Sequence, residues 1–331
     1  GAVPQGIGNE DLGWERELSY NLGTDISLFD RRLNFTFDIY LKKTTDLVLD
    51  ASRAPSTGTT SAKENIGEME NKGLEFQVDG MLVQRNDFYW QVAATGSMNR
   101  NRILKINSAL KKANEDANKV DSKTPLAQYE EGESTTALKV VKSAGIDPAT
   151  GQEVFIKLNG ERTFEYSADD KFVIGDTEPR FRGTVSTNLF YKGFSLYLLG
   201  RYECGAYLYN ETRATKVEGA NPKKNADKRV FDSRWKSPGD IAFYKDIADS
   251  DGWGTNPKHS DRFVEKENVF TLGTVNFGYE FGQNICSKIG VRNLRVGVNL
   301  TDIVRWSNVK IERGTTYLYS NGFEFTLSTT F

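Results

Sequence analysis

The sequence is poor in reactive side chains. Among 331 residues there are two cysteines, Cys204 and Cys286, and one histidine, His259. Two cysteines are too few for a disulfide scaffold or a structural zinc site. His259 lies in the loop-like stretch "NPKHSDRF", which reads as a solvated position, and no serine or cysteine sits in an elbow motif. Phosphate-loop and zinc signatures are missing as well. The sequence therefore predicts no enzyme, no catalytic residue, no cofactor and no metal site. Charge of one sign is also missing: 43 Lys and Arg stand against 45 Asp and Glu. No global field points to nucleic acid as a partner. Finally, no apolar run is long enough for a transmembrane helix. That last absence does not exclude a transmembrane β-barrel, which shows lipid only every second residue and keeps a polar lumen face.

What is present favours strands. Aromatic residues make up 12% of the chain, mostly Phe (20) and Tyr (14), types that suit a pleated, half-buried surface. In "LNFTFDIYLKKTTDLVL" the residues Leu33, Phe35, Phe37, Ile39 and Leu41 alternate with Asn34, Thr36, Asp38, Tyr40 and Lys42. Upstream, Tyr20, Leu22, Ile26 and Leu28 alternate in the same way, and only "DRR" separates the two runs, so they predict a hairpin. The design recurs around "RND" (Arg85–Asp87), around "YKG" (Tyr191–Gly193) and around the longer "GQNICSKIG". The chain ends on one more such strand, with Phe323, Phe325, Leu327 and Phe331 on a single face.

Long polar connections alternate with these tight turns, at roughly 48–71, 102–179, 205–266 and 302–316. One rim thus carries short turns and the other long loops, the layout of outer-membrane barrels. Several strands exceed the ~5–6 residues usual in soluble sheets. The expected fold is all-β: an antiparallel transmembrane β-barrel with about nine strands in this chain. Phe35, Phe37, Ile39, Leu74, Phe76, Leu196, Val296 and Phe325 are expected to face lipid, and Asp38, Glu75, Asp79, Arg295 and Glu324 the lumen. Cys204 and Cys286 fall at opposite rims and are expected to stay unbonded. Single-chain bacterial barrels have even strand numbers, so nine strands behind a loop-like start lead to the expectation that residues 1–331 are the last part of a longer barrel.

Several stretches then carry a resemblance. "NKGLEFQVDG" (Asn71–Gly80), "AGIDPATGQEVF" (Ala144–Phe155), "RWKSPGD" (Arg234–Asp240), "SDRFVEKENVFTLGTVNFGYEF" (Ser260–Phe281) and "VKIERGTTY" (Val309–Tyr317) resemble SusC-like TonB-dependent transporters, in family order across nearly the whole chain. One departure is Tyr317-Leu318, where that family commonly has Tyr-Pro. The resemblance implies a 22-stranded barrel of which this chain is the C-terminal portion, with plug and early strands outside it. It implies energised, TonB-dependent uptake of glycans or peptides across the outer membrane of a Gram-negative cell. Its partners would be a SusD-like surface lipoprotein, TonB acting through the N-terminal part, and outer-membrane lipid. It also implies that Phe331 is read by the barrel-assembly machinery. The alternatives are a passive porin or adhesin barrel, and a soluble β-sandwich binding module.

Substrate contact is expected on the long loops, where aromatic faces suit sugars and peptides alike. The candidates are Tyr129, Tyr207, Tyr209, Tyr244 and Trp253, whereas Trp235 inside "RWKSPGD" reads as structural. The acidic run "DIADSDGWGTN" fails the EF-hand pattern at Ile247 and Lys258. It reads as a solvated loop, with a looser calcium site as the alternative.

Overall fold

A computed structural model describes residues 10, 12–52, 61–120, 122–221, 223, 225–247, 257–311 and 320–331. In chain order the strands are β1 (Arg16–Leu28), β2 (Leu33–Ser52), β3 (Ser61–Arg85), β4 (Phe88–Ile106), β5 (Ala137–Ile146), β6 (Glu153–Ile156), β7 (Arg162–Thr163) and β8 (Lys171–Asp176). They continue with β9 (Phe181–Tyr191), β10 (Phe194–Tyr209), β11 (Val264–Glu280), β12 (Asn293–Ser307) and β13 (Gly322–Thr330). Nine form one sheet in the order β1-β2-β3-β4-β9-β10-β11-β12-β13, every pairing antiparallel. The other four form a small sheet ordered β7-β6-β5-β8.

Register turns the alternation in the sequence into two continuous faces. Phe35 stands opposite Ile26 and Val78, Phe37 opposite Phe76, and Ile39 opposite Leu22 and Leu74. At the far side Leu198 faces Val275, Val275 faces Leu300, and Leu300 faces Phe323. The polar positions pair with one another: Asp38 with Glu75, Thr36 with Asp25 and Gln77, Asn299 with Glu324. Because the side-chain period is two, a slip by one residue would interchange the faces. The apolar face is solvent-exposed in the isolated chain at Leu22, Phe37, Ile39, Phe277, Phe325 and Leu327. Among the described residues no second sheet covers it, which argues against the β-sandwich alternative.

The short turns follow backbone chemistry. Lys192 (φ 46°) and Gly193 (φ 91°) both take left-handed backbone between β9 and β10, the type I′ geometry whose twist matches a hairpin. A short helix, α2 (Gln283–Lys288), fills the longer β11–β12 turn. Cys286 is buried in this turn, Cys204 lies on β10, and both are free thiols.

Two expected loop boundaries are corrected. The segment 48–71 is largely ladder, because β2 runs to Ser52 and β3 starts at Ser61. Its strand character was hidden because "SAKENIGEMENKG" is polar at most positions, and a ladder held by backbone hydrogen bonds needs no apolar period. Likewise β10 continues to Tyr209 past a register shift at Cys204/Ala206, where Gly205 has φ 80°. A β-bulge there kinks the strand and shifts its alternation by one.

The two longest connections are folded rather than irregular. After β4 comes α1 (Ser108–Lys119), whose N-cap Asn107 accepts a hydrogen bond from the Leu110 N–H at 3.0 Å. Strands β5–β8 follow. The connection from β10 to β11 holds a π-helical turn, Thr212–Glu218. It packs with Tyr244 and Phe263 into a core of Ala214, Val217, Tyr244 and Phe263. Val141 on β5 donates its N–H to the His259 carbonyl at 2.9 Å, tying the small sheet to the segment that leads into β11.

Candidate functional site

At the rim with the long connections, two of the sequence motifs meet. In "AGIDPATGQEVF" the Asp147 carboxylate accepts from the Thr150 N–H (3.1 Å) and hydroxyl (2.7 Å), closing a turn that ends in left-handed Gly151 (φ 74°). Those hydrogen bonds, the Thr150 hydroxyl first, hold Asp147 below the usual carboxylate range. In "RWKSPGD" the Asp240 carboxylate accepts from the N–H groups of Lys236 (3.0 Å) and Ser237 (2.9 Å). The turns dock: Trp235 donates Nε1–H to the Pro148 carbonyl at 2.9 Å, and Gly239 N–H reaches the same oxygen at 2.8 Å. A Cβ on Gly151 would stand 2.5 Å from the Trp235 ring, so no larger residue fits. The structural reading of Trp235 is thus supported by its burial and its bond.

Behind this contact three arginines hold the rim together. Arg262 sits between two carboxylates, bonded in bidentate fashion to Glu153 on β6 (2.7 and 2.6 Å) and to Glu218 (2.8 and 2.9 Å). All three side chains are almost fully buried. Burial opposes the charge on Arg262, but Glu218 and Glu153 outweigh it and raise its pKa, so the guanidinium stays charged. Arg234, also buried, donates to the carbonyls of Val230 (2.7 Å), Lys245 (2.9 Å), Val217 (2.5 Å) and Glu218 (3.1 Å). Burial lowers its pKa, with Glu218 opposing. Arg213 pairs with Glu265 at 2.8 Å and lies 4.4 Å from the Phe243 ring centre. The described residues of segments 107–180 and 210–263 therefore form one packed module with a shared charged core.

The sequence-predicted contact residues fall unevenly on it. Tyr244 is buried, takes a hydrogen bond from Arg213 at 3.1 Å and packs edge-on against Phe243. Its ring is committed to the core and offers no free face to a ligand. Tyr209 packs edge-on against His259 and Phe263, and Tyr207 lies against Gly175 on β8. Both belong to β10 rather than to a loop. Tyr129 is half-buried, and its backbone is held by the Asn114 amide at 2.6 and 2.9 Å. Trp253 and most of the acidic run 246–256 lie outside the described residues. Phe331 is highly exposed, one residue beyond β13. His259 departs from the solvated position expected of it: it is half-buried, with Nε2 3.0 Å from the Ser122 carbonyl oxygen.

Arg262, Glu153, Glu218 and Arg234 were missed as a set by sequence reasoning. Each reads as one more charge among many, and only the fold reveals that residues more than a hundred positions apart share a buried site. The available signal was that Glu153, Arg234 and Arg262 all sit inside the motifs that carry the resemblance.

On the polar face of the sheet, a 750 Å³ cavity is lined among others by Asn21, Asp38, Tyr40, Lys42, Glu75 and Asn99. Its floor is a hydrogen-bonded mosaic, with Tyr40 donating to Asn99 at 3.1 Å and Asn21 to Asp38 at 3.2 Å. Among the described residues no cluster of three or more His, Cys, Asp or Glu is arranged to hold a metal. The chemistry on offer here is hydrogen bonding and charge pairing.

Comparison with known proteins points to one family. The family described as "TonB dependent receptor-like, beta-barrel" matches residues 1–128. TonB-dependent receptor P39 of Formosa agariphila is 25% identical over 93% of this chain and 33% of its own length. Residues 1–128 thus match the TonB-dependent receptor β-barrel family, and a relative named TonB-dependent receptor aligns over nearly the whole chain. TonB-dependent receptor P3 of the same organism is 28% identical over 93% of this chain and 31% of its own length. TonB-dependent receptor SusC of Bacteroides thetaiotaomicron is 33% identical over 100 residues, 30% of this chain and 10% of SusC. Among solved structures, that of the RagAB peptide importer in the "open-open" state superposes with a TM-score of 0.77 at 21% identity. It covers 98% of this chain and 36% of that one. The chain thus spans about a third of the length of the curated relatives it matches.

In a barrel of this family the exposed apolar face is the lipid face. Aromatic rings mark both of its borders. Phe194, Tyr279 and Phe281 cluster by the short turns, with centroids 4.5 and 4.9 Å apart, and Phe270 and Trp306 pair at 5.7 Å toward the other rim. Tyr279 and Phe270 are about 30 Å apart along β11 at ~3.3 Å per residue, or about 23 Å across the membrane at ~40° tilt. That spacing fits the ~25 Å apolar band of outer-membrane barrels, whose edges carry aromatic girdles.

Proposed function

We propose that the whole protein is an outer-membrane importer. On this reading it takes up glycan or peptide oligomers through the barrel lumen with energy delivered by TonB, beneath a SusD-like surface lipoprotein. No bond in the substrate is made or broken. The observation that carries the reading is the joining of a two-faced sheet to a folded module at one rim only. The sheet supplies a lipid-facing wall and a polar floor, and the module, built with its own charged core, supplies a preformed surface at the mouth. Relatives named as TonB-dependent receptors support energised transport, and the likeness in fold to the RagAB peptide importer supports a lipoprotein partner. Phe331, one residue beyond β13, is proposed as the assembly signal. Tyr129, which is half-buried, and Trp253 are the proposed loop contacts with substrate.

The test is uptake of labelled oligosaccharides and oligopeptides by cells carrying the full-length protein, with and without an uncoupler that collapses the proton gradient. Uptake that stops on uncoupling and requires the co-expressed lipoprotein supports the reading. Uptake indifferent to both would identify a passive pore.

A further inference from the structure

A second cavity, of 350 Å³, opens where three segments of the module converge: the end of α1, the start of β8 and residues 257–259. Its wall carries Lys119, Lys171, Lys258 and His259, and among the described residues it carries no carboxylate. In a chain with 45 acidic and 43 basic residues this is a local departure from the average. Two neighbouring acids are engaged with residues of the wall. Asp116 pairs with Lys119 at 3.2 Å, and Asp169 accepts from the Asn118 amide at 3.5 Å.

That leaves two ammonium groups to explain. Lys119 stands in the last turn of α1, where it offsets the partial negative charge of the helix end. Lys171 is half-buried, and the Nζ contact it makes is with a neutral acceptor, Asn118 Oδ1, at 2.9 Å. Burial lowers its pKa, Asp169 opposes and Lys139 adds to the lowering. Lys258 Nζ lies 5.6 Å above the Tyr166 ring. Buried or half-buried ammonium groups are costly unless a counter-charge meets them. Lys171 is such a group, and it and the exposed Lys258 face one concave space whose lining also includes Val120, Leu126 and Pro257.

We infer that this cavity binds a ligand bearing a carboxylate or sulfate group, with Lys171 and Lys258 holding the oxyanion and the Val120, Leu126 and Pro257 wall covering its carbon frame. Its volume suits one sugar ring or one amino-acid residue. The inference rests on the import reading in one respect: it names the chemistry that the mouth of the importer selects.

The experiment is calorimetry on the full-length protein in detergent, at low and high salt. The charged probes are inorganic sulfate, galacturonate and N-acetylaspartate, and the neutral controls are galactose and N-acetylasparagine. The expected result is salt-sensitive binding of galacturonate or N-acetylaspartate and none of the neutral counterpart. Lys171→Met and Lys258→Met, which keep the stem and remove the charge, should each weaken binding about tenfold, the loss expected of one charge-assisted hydrogen bond. Lys171→Arg should restore most of it. Binding of galacturonate alone identifies a sugar ligand, and of N-acetylaspartate alone a peptide ligand. Equal binding of charged and neutral probes, Met variants that bind normally with an unchanged tryptic pattern, no binding at all, or sulfate as an adventitious ion only would each overturn the inference. Uptake with and without uncoupler, measured on the same variants with a neutral oligomer, reports on import alone. A failure of import and a failure of this site are therefore separable.

Discussion

Phe263 and Phe277 stand close together in the sequence and meet opposite surroundings. Phe263 is 0% exposed, enclosed by Val217, Ala214 and Tyr244 in the loop module, whereas Phe277 is 48% exposed on the outer face of the sheet. The contrast extends to other side chains, with Cys286, buried in the β11–β12 turn, as an exception. The fully buried side chains Val140, Val141, Val217 and Phe263 lie in the module or at its border, while the long strands display Leu22, Phe37, Ile39, Phe325 and Leu327. The module is stabilised as a water-soluble protein is, by closing an apolar and charged core against water. The wall is built for a solvent that is itself apolar, so its large side chains point outward and the backbone is satisfied by the ladder. One chain thus follows two opposite burial rules, and the border between them runs through β10 and β11.

The largest effect is expected at Arg262. Arg262→Met leaves Glu153 and Glu218 buried without their counter-charge, a loss of about 3–5 kcal/mol. The module should become sensitive to trypsin while the barrel keeps its heat-modifiable migration on gels. Loss of both together would mean that the regions are not separately stabilised. Next comes Leu198→Arg, midway between the two girdles on β10, which should cost about 2–4 kcal/mol of barrel stability. Arginine at the neighbouring lumen-facing Tyr197 should cost far less, and equal costs would erase the two-faced sheet. Urea titration of the protein folded in lipid vesicles measures both.

Such contrasts also show how much the sequence disclosed. The wall was legible because each strand repeats one rule, apolar then polar, and because Phe35, Phe37 and Ile39 can be counted without knowledge of their neighbours. The upper part of β3 was not legible, since a ladder above the membrane carries no hydropathy period. The rim was legible only as motifs. "AGIDPATGQEVF" and "RWKSPGD" could be recognised, but nothing in either announces that Trp235 caps Pro148 or that Arg262 joins Glu153 to Glu218. Tyr244 looked like a loop aromatic free to meet a ligand because sequence gives residue type and not enclosure.

A smaller effect is expected at that rim contact. Trp235→Phe keeps the ring against Gly151 but removes the donor to Pro148, which Gly239 still satisfies. The module should lose about 1 kcal/mol, the ordinary net worth of one hydrogen bond. It should open locally in hydrogen exchange with no change in the barrel. The gentlest probe is alkaline pH. Burial, against a backbone hydrogen bond at His259, pushes the Tyr166 phenol up to about 12. The fold favours the neutral phenol, so its contribution is complete below an unfolded-state pKa of ~10 and is lost as pH rises toward the folded value. Tyrosinate absorbance assigned with Tyr166→Phe should appear only near the upper end of that window, together with loosening of the module.

Whether alternate residues of one strand meet lipid and lumen is read out by spin labels placed singly at Phe194 through Cys204 on β10, in the full-length protein in bilayers. Collision with oxygen, which concentrates in lipid, should be high at the even positions 194, 196, 198, 200 and 202. Collision with a water-soluble nickel complex should be high at the odd positions between them, giving two curves of period two in opposite phase. Curves without that period, or even positions shielded from both reagents beneath another layer of protein, would contradict the account.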